Sequence, residues 1–126
     1  MPTQLLAVFL GGGTGAALRW FLSLKFNSNW PSVQIGTLIA NLSGAFIIGL
    51  ALAFFSHRLA LPPEVRLFCV TGILGGLTTF STFSSEVVQL IERGCIEAGL
   101  ITIAANLVGS LLLTGAGLLI GGYLFK

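Results

Sequence analysis

Charge is the scarcest property of this chain. Its 126 residues include six Lys or Arg, four Asp or Glu and one His, so 8% are charged where soluble domains carry about a quarter. That balance excludes a water-soluble globular domain. No carboxylate occupies the centre of any uncharged run, and no soluble segment is left to hold an active site, so the chain does not read as an enzyme. Two cysteines, Cys69 and Cys95, are too few for a disulfide framework or a metal site and read as packing residues. The lone His57 beside Arg58 reads as an interfacial loop residue, and the scattered Lys and Arg form no nucleic-acid patch.

Apolar residues are plentiful, at 55% of the chain. Uncharged runs at residues 2–18, 27–56, 67–85 and 98–125 each approach or exceed the roughly 20 residues that cross hydrocarbon as a helix. The expectation is an all-α membrane protein in one domain, residues 1–126, with spans near 3–25, 33–56, 65–92 and 97–124. The first run lacks the basic start of a signal peptide and carries a glycine cluster at residues 11–15, so it reads as a helix. Short connections fall at 27–31, at 56–64 with Pro62 and Pro63, and at 93–97.

Four spans put Arg58, Arg66 and Lys126 on one side and Arg19, Lys25 and Arg93 on the other. Three against three gives no positive-inside signal, which points to dual topology and an antiparallel homodimer. Small residues four apart, at Gly11 and Gly15, Gly12 and Ala16, Gly36, Ala40 and Gly44, and Gly117 and Gly121, permit close helix contact in lipid. Gly11, Gly13 and Ala16 also match a loose dinucleotide pattern, but no strand precedes them and the next acid is Glu64, too distant to bind a ribose.

The least lipid-like stretch is residues 75–84, GGLTTFSTFS. Unpaired backbone and hydroxyl groups cost several kcal/mol each in hydrocarbon, so this stretch predicts cover by protein or a polar path. Gly72, Gly75 and Gly76 crowd one turn and predict a break near residues 75–78, where freed carbonyls are ready cation ligands. Beyond it Thr78, Ser81, Thr82 and Ser85 share an arc of about 100°, extended by Gln89, with Phe80 and Phe83 as an adjacent aromatic edge. Thr102, Asn106, Ser110 and Thr114 repeat every four residues in the last span, and Asn41 is the strongly polar residue of the second. Amide and hydroxyl donors, ring edges and Arg19 suit a small anion. Glu86, at the end of the third span, reads as solvated or interfacial.

The 75–84 segment, with Asn41 and Gly44 upstream and Gly15, Arg19 and Trp20 in the first helix, closely resembles the bacterial CrcB/Fluc fluoride channels over essentially the whole chain. The resemblance implies a fluoride-selective channel, passively exporting fluoride across the cell inner membrane, built as an antiparallel dual-topology homodimer with two pores. It implies a central, non-transported Na+ on the backbone carbonyls of Gly75 and Thr78, fluoride paths lined by the ring edges of Phe80 and Phe83, and an amide donated by Asn41. Ser81, Thr82, Ser110 and Thr114 would continue the polar track, joined less surely by Asn106, with Arg19 drawing anions into a vestibule. The alternative is a proton-coupled exporter of the small multidrug resistance type, similar in size and topology, which relies on a first-helix carboxylate that this chain lacks.

Overall fold

The computed structural model describes residues 1–27 and 31–126; part of the expected first connection, residues 28–30, lies outside the described residues. Four helical stretches are long and apolar enough to cross a membrane: Pro2–Phe26, Ile35–Ser56, Pro63–Glu92 and Ile96–Leu124. The first two are helices α1 and α2. The third is divided into α3 (residues 63–77) and α4 (Phe80–Glu92), and the fourth is α5 (Ile96–Leu124).

Local chemistry explains the ends. Pro2 and Pro63 occupy first-turn positions of α1 and α3, where a missing N–H costs nothing. Asn27 leaves α1 in extended conformation, and its Oδ1 accepts the Thr37 N–H at 3.1 Å, capping the start of α2 from the preceding helix. Gly94, at φ 80°, supplies the left-handed residue of the turn between α4 and α5. Residues Leu67–Leu74 within α3 are wound as a π-helix, a feature with no signature in the sequence.

Two seams of small residues hold the bundle. Along α1, a Cβ at Gly11 would meet the Phe68 carbonyl, one at Gly15 the Ile73 carbonyl, and one at Gly72 the Gly11 Cα, so α1 and α3 touch backbone to backbone. Along α2 and α5, Gly49 lies against Thr114 and Gly117, and Gly117 against Phe46. The expected small-residue spacings therefore serve contact, with Gly121 against Ala53 extending the second seam. Ala40, Leu74 and Leu77 form the buried apolar centre where α2 meets α3.

Candidate functional site at the broken third span

The break falls at Thr78 and Thr79, slightly beyond most of the glycines expected to cause it. Gly75 is helical, at φ −65° and ψ −36°, whereas Thr78 (φ −86°, ψ 152°) and Thr79 (φ −149°, ψ 117°) are extended. Gly72 and Gly76 are consumed by packing against Gly11 and Gly12. What stops the helix is capture of its backbone by side chains. The Thr79 N–H donates to Asn41 Oδ1 at 2.7 Å, and Asn41 Nδ2 donates back to the Thr79 carbonyl at 3.2 Å. One side-chain amide thus pairs with both backbone groups of one residue, as a neighbouring strand would.

Thr79 then starts α4 as its N-cap. Its hydroxyl accepts the Thr82 N–H at 3.1 Å, donates to Thr82 Oγ1 at 3.1 Å and lies 3.4 Å from Ser81 Oγ. These captures have a consequence for the carbonyls. In a continuous helix Thr79 would donate to Gly75 and Thr82 to Thr78, and both N–H groups are diverted. Gly75 and Thr78 lose their helical donors by this diversion, while the intervening Gly76 carbonyl accepts Arg19 Nε at 3.1 Å. Thr78 itself is turned to α3, its N–H and hydroxyl both on the Leu74 carbonyl, so it leaves the expected hydroxyl arc.

Beside the break lies an open cleft of about 340 Å³ between α2, the third span and α5. Asn41, Gly75, Thr78, Phe80, Phe83, Asn106 and Ser110 line it, with Ile48, Val70, Leu74, Leu107 and Leu111 as apolar walls. The Phe80 and Phe83 rings meet edge to face, 5.5 Å apart at 79°, and Phe80 is 76% exposed in the single chain. Both amide hydrogens of Asn41 are engaged, one by Thr79 and one by Asn106 Oδ1 at 2.9 Å. Asn106 spends one N–H on the Thr102 carbonyl. Asn41 is therefore the clamp of the break, and Thr78, Thr79, Asn106 and Ser110 are further polar residues of the lining.

The remaining nominated residues lie outside the cleft lining. Thr114 reaches across to the Ala45 carbonyl at 3.0 Å, joining α5 to α2, and Thr102 bonds its own helix through Ala98. Ser81 and Thr82 belong to the Thr79 cap, and Arg19 sits on the far side of the break.

One expectation fails. Glu86 is 7% exposed and accepts the Thr37 hydroxyl at 2.6 Å, so it is not solvated. Burial follows from helical phase, because Glu86 stands on the face of α4 that carries Val87 and Leu90 inward. Its Oε1 has no hydrogen-bond partner among the described residues. Thr37, 1% exposed, was not nominated at all, since a single Thr in an apolar helix gives no signal.

The profile of the family described as CrcB-like protein, Camphor Resistance (CrcB), matches residues 6–118. The chain belongs to the CrcB-like family. Curated relatives named "Fluoride-specific ion channel FluC" include one from Pseudomonas putida (strain W619), 57% identical over 94% of this chain and 93% of its own. Another, "Fluoride-specific ion channel FluC 1" from Yersinia pestis, is 56% identical over 90% of each chain. A third, from Enterobacter sp. (strain 638), is 54% identical over 90% of each. CrcB-like membership and four apolar spans make this a multi-pass membrane protein.

Proposed function

We propose that this chain forms a fluoride-selective channel that passively exports fluoride across the bacterial inner membrane. The observation that carries the reading is the cleft at the break, where the paired Phe80 and Phe83 rings share an uncharged lining with amide and hydroxyl groups. Phenyl edges are electropositive, and polar donors replace part of the shell of a strongly hydrated anion. The names of relatives more than half identical supply fluoride as that anion. Ser110 and Asn106 are the donors available beside Phe80 and Phe83, while Asn41 holds the wall in place. Ser81 and Thr82 join the Thr79 cap at the start of α4, and Glu86 further along α4 is bonded to Thr37 of α2.

Passive flow suffices for export. An interior-negative potential is worth about 2.3 kcal/mol per charge per 100 mV, roughly a fiftyfold outward concentration ratio for an anion. Hydrogen fluoride crosses the bilayer neutral and dissociates inside, so an anion leak empties the trap.

The working unit in this reading is an antiparallel dual-topology homodimer with two paths. The balanced Lys and Arg count supports it, as does a cleft open on one side with Phe80 presented there. A Na+ ion fits the carbonyl chemistry of the break: Gly75 and Thr78, both deprived of helical donors, would hold it and share it with their counterparts in the second subunit. Bound there, the ion supplies positive charge that stabilises the break without being transported. The multidrug exporter reading requires a carboxylate in the first helix, whereas the buried one here lies on the third span.

Fluoride efflux from vesicles reconstituted with purified protein tests the proposal. Efflux persists without a proton gradient if the chain is a channel, and falls at least a hundredfold in the double variant Phe80→Ile, Phe83→Ile. Unchanged flux in a well-folded double variant would overturn the assigned path.

A further inference from the structure

The carbonyl end of α3 is met by a charged side chain from α1. Arg19, half-buried on α1, donates Nε–H to the Gly76 carbonyl at 3.1 Å, and its terminal nitrogens make no hydrogen bond to the described residues. The last carbonyls of any helix lack intrahelical donors and carry partial negative charge, so a guanidinium there satisfies one of them and opposes the dipole. At the end of α3 the accounting is specific. Leu74 is taken by Thr78, Gly76 by Arg19, and Gly75 loses its donor to Asn41.

We propose that Arg19 is a positioning residue for the cation site: by engaging Gly76 it fixes the last turn of α3 and so sets the neighbouring Gly75 carbonyl for Na+. This rests on the sodium reading above. Steering anions is a different duty, open to the unengaged terminal nitrogens of the same guanidinium. The two duties separate by chemistry, because the carbonyl needs a donor at one place whereas attraction of an anion needs only the charge.

Arg19 also brings a cost, since a positive charge near a cation site repels the ion. The inference requires that positioning outweigh repulsion. The alternative gives the opposite sign, with sodium binding tightening when the charge is removed.

The test is equilibrium sodium binding to the purified detergent-solubilised protein, by retention of radiosodium and by the rise in unfolding temperature in sodium chloride over N-methylglucamine chloride. Arg19→Ala is expected to weaken sodium binding about tenfold, the scale of one lost charge-assisted hydrogen bond. Arg19→Lys, which keeps a charged donor, recovers part of it. In vesicles reconstituted from the same preparations the fluoride concentration for half-maximal flux rises in Arg19→Ala and less in Arg19→Lys. Sodium binding unchanged or tighter in Arg19→Ala, with only the fluoride dependence altered, overturns the inference and leaves an anion-steering role alone. A parent protein that binds no sodium overturns the cation site itself and this inference with it. If Arg19→Ala does not elute as a homogeneous species, Arg19→Gln is read in its place against the same two outcomes.

Discussion

Up to Leu77 the third span meets its neighbour through side chains that are missing; from Thr78 onward it is held by side chains that replace missing backbone bonds. In the first region Gly11, Gly15, Gly72 and Gly76 let two helices touch backbone to backbone. In the second, Asn41, the Thr79 hydroxyl and Arg19 take over groups that the ladder has abandoned. Both solve the same problem, since a polar backbone in hydrocarbon must be paired somewhere. The second solution lies beside the cleft that Gly75, Thr78, Phe80 and Phe83 line.

The comparison breaks most severely at Asn41. Asn41→Leu leaves the Thr79 N–H and carbonyl unpaired at a half-buried site, at most about 1–3 kcal/mol for each group. Fluoride flux is expected to fall at least a hundredfold, and the thermal unfolding midpoint to drop by more than in any variant below. Near-parent flux in folded Asn41→Leu would mean that the break does not depend on this clamp.

The glycine seam is tested by Gly15→Ala. The added Cβ meets the Ile73 carbonyl and lies 2.7 Å from the Leu77 nitrogen, both backbone atoms that move only if α1 and α3 separate. Overpacking of this kind costs about 1–3 kcal/mol. Chemical denaturation in detergent should register that loss, with fluoride flux per folded channel less affected than in Asn41→Leu. A collapse in flux with stability unchanged would reverse the two regions' roles.

What the residues reveal by themselves follows the same division. Polar stretch 75–84, the Phe80 and Phe83 pair and the four-residue spacing of small residues are local patterns; Phe80 and Phe83 line the cleft and the small residues make the close helix contacts, whereas Ser81 and Thr82 fall outside the lining. The position of the break is not local. Glycine propensity places it near residues 75–78, but Gly72 and Gly76 are spent on α1 and the chain opens at Thr78 and Thr79, beside Asn41, 38 positions back in sequence. Glu86 illustrates the same limit, because a carboxylate near a span's end looks solvated until α2 brings Thr37 over it. Propensity describes a segment; the partner that overrides it is recorded elsewhere in the chain.

Thr79→Ala isolates the cap from the clamp. The backbone pairing with Asn41 survives, while the Thr82 N–H loses its acceptor, a change worth about 1 kcal/mol at a helix start. Flux should fall severalfold at most, and Thr79→Ser should restore it. Equal losses in Thr79→Ala and Asn41→Leu would show that the hydroxyl matters more than the captured backbone.

The smallest effect separates glycines that pack from glycines that do not. Gly13 lies on α1 between Gly11 and Gly15, yet a Cβ built there finds nothing within 4 Å. Alanine is favoured over glycine inside a helix by about 1 kcal/mol, so Gly13→Ala is expected to raise the unfolding midpoint slightly and leave flux alone. Two residues away, the same substitution at Gly15 meets a backbone carbonyl. Loss of stability in Gly13→Ala would place a second surface on that face of α1, as the proposed antiparallel dimer would supply.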